Sequence, residues 1–314
     1  MEEFLLQLGL FGSIVLLAVS LAALLKGSDW FIDAAEQIGL SLGISPFIIG
    51  ITIVAFGTSL PELATSIVAV LDNESEIVIG TVVGSNITNI ALVLGLSALI
   101  LGNIRLNNNV WQVDIPYLWG SAFLLWFVVR EGGVEIYESI LLLIGIGIFL
   151  GYSVRFDKSE YLVETRPNWR TFLFLFIGGF FVWLGSDYTI LAIKNLSRAA
   201  AIDPDIIAIS AVALGTSLPE VIVSLNAARK GKADIAVGNV VGSNVFNTFV
   251  VIGIPSLLGE LIIPATIHTL FLPLMVIMTI LFGVMTNNRE ISRWEGALLI
   301  LFYLFFLLET FRNI

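Results

Sequence analysis

Long apolar stretches, separated by short polar or glycine-containing segments, dominate the hydropathy pattern of this chain. A helix needs about 20 mostly apolar residues to cross roughly 30 Å of hydrocarbon, and the pattern predicts about ten such helices. They lie near residues 4–25, 45–71, 76–101, 110–129, 134–154, 171–200, 204–228, 234–258, 262–286 and 294–311. The pattern allows the first of these helices to extend to residue 39. A transmembrane β-barrel would instead need short alternating segments. The pattern therefore predicts an all-α membrane protein.

The composition excludes the common soluble classes of protein. Of the 314 residues, 57% are hydrophobic and 13% are charged, against roughly 25% charged in soluble proteins. The 25 acidic residues outnumber the 15 Lys and Arg residues, which disfavours nucleic-acid binding. Because there is no cysteine, a disulfide, a thiolate metal site and a cysteine nucleophile are excluded. The start, Met1-Glu2-Glu3, lacks the basic flank of a cleavable signal peptide, so we expect the first helix to be retained.

Basic loop residues predict an orientation, because cytoplasmic loops carry the excess of Lys and Arg. With ten helices and the amino terminus outside, ten basic residues fall inside and three fall outside. Those inside are Arg105, Arg155, Lys158, Arg166, Arg170, Arg229, Lys230, Lys232, Arg289 and Arg293, and those outside are Arg130, Arg198 and Arg312. We therefore predict extracellular termini and a cytoplasmic loop at 155–170.

The chain contains an internal duplication. The motif GTSLPE occurs at 57–62 and again at 215–220, and GSN occurs at 84–86 and 242–244. At this single offset, more than half of the positions are identical over 46–66 and over 80–95. We predict two repeats, 1–154 and 171–314, joined by the linker 155–170.

Each repeat contains five predicted helices, and an odd number forces the second copy to enter the membrane from the opposite side. The repeats are therefore predicted to be inverted. Inverted repeats with interrupted helices at matching positions are typical of transporters whose site lies near the bilayer midplane.

Glu62 and Glu220 lie midway along apolar helices, where an ionised carboxylate costs roughly 2.5–3.5 kcal/mol. Such a pair is tolerated if it is protonated or if it holds a cation. Pro61 and Pro219 lack the N–H that bonds the carbonyl four residues back, which frees backbone oxygens nearby. At helical spacing Thr58 shares a face with Glu62.

The motifs supply carboxylate, hydroxyl, amide and carbonyl oxygens, and the only histidine, His268, lies outside them. Hard cations prefer such ligands, and a site of this size suits Ca²⁺ better than Mg²⁺. We interpret Asn89 and Asn247 as site residues. Asn86 and Asn244 are either support for the ligands or contacts between helices.

The paired motifs resemble those of the calcium/cation antiporter superfamily, most closely those of prokaryotic sodium/calcium exchangers. The resemblance covers both repeats, hence nearly the whole chain, and implies a prokaryotic plasma membrane. It implies that Glu62, Glu220 and the carbonyls of Thr58 and Thr216 bind Ca²⁺. It also implies flanking Na⁺ sites formed by the hydroxyls of Ser59, Ser217, Ser85 and Ser243 and the carbonyls of Ala55 and Ala213.

One position departs from the family pattern. Several sodium/calcium exchangers have an aspartate where this chain has Asn247, whereas here both Asn89 and Asn247 are amides. The centre then has two carboxylates rather than three, which leaves the Na⁺ stoichiometry, and the choice between Na⁺ and H⁺, open.

We expect a secondary active antiporter that exchanges Ca²⁺ for Na⁺ by alternating access at a two-glutamate site. A proton-coupled or K⁺-dependent calcium antiporter is the alternative, and a cation channel is a remote one. Because the chain has no HExxH or GxSxG motif, an enzyme is not expected. The expected partners are Ca²⁺, Na⁺ and the lipid bilayer, with no cofactor, nucleic acid or obligatory protein partner.

Overall fold

The structure, a computed structural model, describes residues 9–106, 110–111, 113–156, 167–199 and 217–312. Most of these residues lie in helices, which we number α1 to α11. Their bounds are α1 Leu10–Ser41, α2 Pro46–Thr58, α3 Leu60–Leu71, α4 Glu76–Leu101, α5 Asp114–Val128, α6 Ile136–Phe156, α7 Trp169–Ala199, α8 Leu218–Arg229, α9 Ala233–Leu258, α10 Ile267–Asn288 and α11 Arg293–Arg312. Two short strands, β1 (Ile104–Arg105) and β2 (Glu290–Ile291), pair antiparallel and join the loops after α4 and before α11.

Seven of these helices are long and apolar enough to cross a membrane, and α2 with α3, bent by 41° at their junction, make an eighth candidate span. The predicted all-α membrane class is confirmed. The sequence predicts ten spans, but α5 has only 15 residues and the residues just before α8 lie outside the described part of the chain.

The first helix is longer than its predicted core of 4–25. α1 continues without a break to Ser41, which confirms the extension. Gly27 lies inside this helix and packs closely against α7. A Cβ added to Gly27 would be 2.6 Å from the Cβ of Phe181. Small residues at such positions let membrane helices pack closely.

α1 and α7 form a long antiparallel pair. Near one end the Thr189 hydroxyl donates to the Ser20 hydroxyl (2.9 Å), and near the other the Thr171 hydroxyl donates to the Gln37 side chain (3.0 Å). Partners on α7 therefore run backwards as α1 runs forwards. The two helices that open the predicted repeats are thus paired with opposite directions.

Helices α4 and α9 form the buried centre of the molecule. The apolar stretch of α9 is fully buried and that of α4 is 78% buried, against 22% for α1. α9 also contacts α2 backbone to backbone. A Cβ on Gly238 would overlap the carbonyl oxygen of Phe47, and one on Gly242 would overlap that of Ile51.

Local structure follows the duplication. Leu60–Leu71 and Leu218–Arg229 both have 12 residues and begin 158 residues apart. Asn89 and Asn247, at the same spacing, each begin a π-helical turn within α4 and α9. Such turns are rare in proteins as a whole, and those that occur often lie at functional sites. The two copies therefore share their helix breaks as well as their motifs.

The α2–α9 contact generates a prediction on a repeat-matched pair of glycines. Gly238→Ala should lower the free energy of unfolding by about 1–3 kcal/mol, because the added methyl meets backbone that cannot move aside. The matched control is Gly80→Ala, where a Cβ meets nothing within 4 Å and the change should stay within about 1 kcal/mol. Thermal unfolding in detergent measures both, and equal effects would contradict the assigned packing.

Candidate cation-binding site

Each motif glutamate lies in the first turn of a helix that follows a break. α2 ends at Thr58, Ser59 has φ −91° and ψ 4°, and Glu62 lies in the first turn of α3. In the second copy Ser217 has φ −88° and ψ 3°, and Glu220 lies in the first turn of α8. The motif proline follows each break, where its missing N–H costs nothing. The positive end of a helix dipole therefore faces each carboxylate.

The two copies meet at these carboxylates. Glu62 and Glu220 are both fully buried, and they are close enough to interact electrostatically. The Ser59 hydroxyl of the first copy donates a hydrogen bond of 3.0 Å to Glu220 Oε1 of the second. Within the described part of the chain, neither carboxylate is paired with a basic side chain. Any negative charge on the pair is therefore not balanced by a basic side chain of the described residues.

Several buried oxygens of the predicted site have no hydrogen-bond partner among the residues that the structure describes. They are both carboxylate oxygens of Glu62, Oε2 of Glu220, the Ser217 hydroxyl, and the amide oxygens of Asn89 and Asn247. A buried polar atom without a partner costs roughly 1–3 kcal/mol. Oxygens of this kind are the ligands that Ca²⁺ and other hard cations take. The arrangement is suited to a cation.

Hydrogen bonds among four asparagine residues, a network that we call the amide lattice, hold the side chains of Asn89 and Asn247 in place. Asn86 and Asn244 bond each other's backbone carbonyls reciprocally, at 3.4 and 3.2 Å. Asn89 Nδ2 donates to Asn244 Oδ1 (3.0 Å), and Asn247 Nδ2 donates to Asn86 Oδ1 (3.3 Å). Asn86 and Asn244 therefore form contacts between α4 and α9, and the same side chains also hold the amides of Asn89 and Asn247, so both sequence interpretations agree with the structure. The side-chain N–H groups of Asn89 and Asn247 make these hydrogen bonds. Their side-chain oxygens have no hydrogen-bond partner within the described part of the chain.

Of the remaining predicted site residues, some have described contacts and two lie outside the described part of the chain. The Thr58 hydroxyl donates to Asn239 Oδ1 (3.2 Å) and lies 3.5 Å from the Ser243 hydroxyl. The Ala55 carbonyl accepts from Ser59 N (3.0 Å) and lies 3.3 Å from the Thr58 hydroxyl, whose single proton it shares with Asn239 Oδ1. Ser85 is buried on α4, one turn before Asn89. Thr216 and Ala213 lie outside the described residues.

Sequence reasoning missed Asn239. Its side chain is fully buried and reaches across to the end of α2. At the repeat offset the matching residue is Thr81, so the search for identities passed over it. The signal in the sequence was an amide one helical turn before Ser243, on the same face of α9.

Comparison with known proteins agrees with the motifs. A family model described as sodium/calcium exchanger protein matches residues 12–155 and 170–311. The chain belongs to the sodium/calcium exchanger family. Its relatives include the sodium/calcium exchanger MaX1 of Methanosarcina acetivorans, 32% identical over 95% of this chain and 98% of the relative. An uncharacterized membrane protein of Methanocaldococcus jannaschii, MJ0091, is 34% identical over 91% of this chain and 94% of its own.

A solved structure gives the same result for the fold. The sodium-calcium exchanger NCX_Mj, soaked with Na⁺ and Sr²⁺, superposes with a TM-score of 0.84 and 31% identity, covering 95% of this chain and 98% of that one. The predicted resemblance is therefore confirmed. The family is one of membrane transporters rather than enzymes. The roles of the individual oxygen ligands stay predictions.

Proposed function

We propose that this chain is a secondary active antiporter that exchanges Ca²⁺ for Na⁺ by alternating access at a midplane site built on Glu62 and Glu220. One observation carries the proposal: two fully buried, repeat-matched carboxylates lie where Ser59 of the first copy bonds Glu220 of the second, and within the described part of the chain three of their oxygens have no hydrogen-bond partner. Family membership supports it, since MaX1 and NCX_Mj are both named sodium/calcium exchangers.

The ligand set follows from the chemistry of the oxygens. Two bidentate glutamates offer four oxygens, and the carbonyls of Thr58 and Thr216 add two, so water completes the six to eight that Ca²⁺ takes. We assign to the same centre the amide oxygens of Asn89 and Asn247, which have no hydrogen-bond partner within the described part of the chain. We assign the flanking Na⁺ ligands to Ser59, Ser217, Ser85, Ser243, Ala55 and Ala213.

Exchange follows from charge balance. With both carboxylates ionised the site carries two negative charges, which are too costly to move through hydrocarbon unless they are compensated. One Ca²⁺ compensates them, and so do two or more Na⁺ or two protons. Since the rival ions use the same oxygens, they exclude one another. The empty, charged site does not change sides, so transport of one ion requires return of the other.

We propose that the fold consists of ten helices in two inverted repeats, 1–154 and 171–314, with a cytoplasmic linker at 155–170 and extracellular termini. The antiparallel packing of α1 on α7, the first helix of each repeat, supports inversion. We expect this pair to slide or rock as one unit against the motif-bearing helices, because Gly27, Gly178 and Gly185 let α1 and α7 pack closely on each other. Such motion alternates access to a fixed site.

Ca²⁺ uptake by proteoliposomes loaded with Na⁺ tests the proposal directly. Wild type should take up ⁴⁵Ca²⁺ only when an outward Na⁺ gradient is imposed. Glu62→Gln and Glu220→Gln should each lower the initial rate more than about tenfold, because Gln keeps the shape but not the charge that holds Ca²⁺.

The matched control is Glu76→Gln, an exposed carboxylate at the start of α4, which should keep wild-type uptake. Uptake that persists in either site variant would refute the assignment. Calcium flux without any counter-ion gradient would favour a channel, and a strict need for K⁺ would favour the K⁺-dependent alternative.

Proton coupling is the second candidate, and the neutral Asn247 at the centre favours it. A pH gradient without Na⁺ should drive uptake in wild type if this alternative holds, and should fail to if Na⁺ is the coupling ion.

Asn247→Asp should add a titratable charge to the site. At alkaline pH the ionised carboxylate should lower the half-saturating Na⁺ concentration by roughly tenfold, equivalent to about 1.4 kcal/mol. As pH falls and the new carboxyl is protonated, the variant should become indistinguishable from wild type. Asn195→Asp, a buried amide on α7 outside the motifs, is the control. A pH-independent difference would show that Asn247 does not face the transported ions.

A further inference from the structure

A single amide connects the two glutamate-bearing segments. Asn239 Oδ1 accepts from the hydroxyl of Thr58 (3.2 Å), four residues before Glu62. Asn239 Nδ2 donates to the hydroxyl of Ser224 (2.8 Å), four residues after Glu220. All three of these side chains are buried. The amide therefore ties the end of α2 to α8 across the site.

The other repeat does not carry the same residues at the positions of this bridge. At the repeat offset Thr81 replaces Asn239 and Ser66 replaces Ser224. The Ser66 hydroxyl is buried and, within the described part of the chain, has no hydrogen-bond partner. A threonine side chain is shorter than an asparagine and has one donor instead of two. The two halves of the site are therefore supported differently.

We propose that Asn239 is a positioning residue that holds Thr58 so that its backbone carbonyl stays in the Ca²⁺ ligand set. Ca²⁺ needs several ligands placed together, whereas Na⁺ carries half the charge and gains less from each ligand. Loss of the bridge should therefore affect Ca²⁺ more than Na⁺. This inference rests on the proposed exchange function.

The test is Asn239→Thr, which copies the residue of the other repeat. The half-saturating Ca²⁺ concentration should rise about five- to tenfold, the equivalent of one lost buried hydrogen bond, while the maximal rate and the half-saturating Na⁺ concentration change less than twofold. Ser224→Ala removes the second partner and should reproduce the effect. The double variant should be no worse than either single one, because both break the same bridge.

A uniform loss of rate and stability in all three variants would show a merely structural role and overturn the inference. Ser121→Ala, a buried hydroxyl that bonds only the Leu118 carbonyl of its own helix, controls for general destabilisation. If wild type shows no Na⁺-driven uptake at all, the proposed function fails. If wild type is active but Asn239→Thr keeps its Ca²⁺ affinity, only the positioning role fails.

An independent feature lies at the rim of the molecule, where α1 is joined to the α8–α9 loop. Lys230 bonds Asp29 and Asp33, both at 2.9 Å, and Lys232 bonds Asp33 at 2.6 Å and Glu36 at 2.8 Å. The side chains of the two lysines are only 26% and 18% exposed. Burial disfavours the charged amine of Lys232, but the hydrogen bonds and charges of Asp33 and Glu36 outweigh it and raise its pKa. These pairs therefore stay charged.

The repeat offset carries one pair of this cluster, Glu36 with Lys232, onto two residues of reversed charge. Glu36 on α1 corresponds to Lys194 on α7, and Lys232 in the α8–α9 loop corresponds to Glu74 in the α3–α4 loop. Both residues are described, and the structure has no ion pair between them. Glu74 is exposed. One rim is therefore bridged while its counterpart is open.

We infer that these are two ionic latches that close in alternation. When α1 and α7 move against the motif helices, the Lys232 latch opens and Lys194 reaches Glu74. The two are unequal: the first has four ion pairs, whereas at the second both positions matching Asp29 and Lys230 are acidic, Asp187 and Asp72, and the position matching Asp33 is Leu191. The resting state is therefore the one with the Lys232 latch closed.

Cross-linking tests the latches without relying on transport. The chain has no native cysteine, so an introduced pair reacts alone with a short bis-maleimide in membranes. Glu36→Cys with Lys232→Cys should cross-link well at rest, and Glu74→Cys with Lys194→Cys poorly. Adding Lys232→Glu to the second pair should raise its yield several-fold, because it replaces two attractions by repulsion from Asp33 and Glu36.

Arg105→Glu, which reverses a charge in an exposed pair on the β1–β2 loops, should leave that yield unchanged. The first cysteine pair also reports that the protein is folded. An unchanged yield at the second pair in Lys232→Glu would overturn the alternation of the latches. Since no ion gradient is used, this result is separate from any failure of the proposed exchange.

Discussion

The structure depends on the burial of two carboxylates that have no basic partner. Neither Glu62 nor Glu220 contacts a lysine or arginine within the described residues, although both are fully buried. A protein tolerates this only where something else balances the charge. Two helix amino-terminal ends, created by the breaks at Ser59 and Ser217, face the pair. They ease its burial without neutralising it, because helix dipoles carry only about half a charge each. Protonation or a bound cation would supply the remaining compensation, and the proposed exchange uses a bound cation.

The polar contacts of the molecule fall into two kinds that differ in their surroundings. In the centre, amides such as Asn86 and Asn244 bond each other, since a neutral group can be buried once its hydrogen bonds are satisfied. At the rim, ion pairs such as Lys232 with Glu36 keep partial contact with water. A rim pair can break at low cost, because water replaces the lost partner. Rigid contacts therefore lie around the site, and separable ones lie where the helices enter solvent.

The hydropathy pattern predicts the bounds of some helices closely and those of others poorly. Helix 76–101 is recovered to the residue, because its apolar run is bounded by polar residues on both sides. The predicted helix 262–286 begins later, because residues 261–264, which include Pro264, are mostly apolar without being helical. Repeat matching found the glutamates, since both copies retain them. It could not find Asn239, whose counterpart is a threonine, because that contact belongs to only one half.

From the sequence alone followed the membrane class, the duplication, the family and the identity of the two acidic residues, because hydropathy and repeated motifs are local properties of the chain. The tertiary structure decided how these parts meet. It turned the N–H groups of Asn89 and Asn247 away from the centre, brought Ser59 onto Glu220, and joined α1 to Lys230 and Lys232. Those contacts join residues about 155 to 200 positions apart. No spacing pattern within one segment encodes them, because they depend on how the two copies pack against each other.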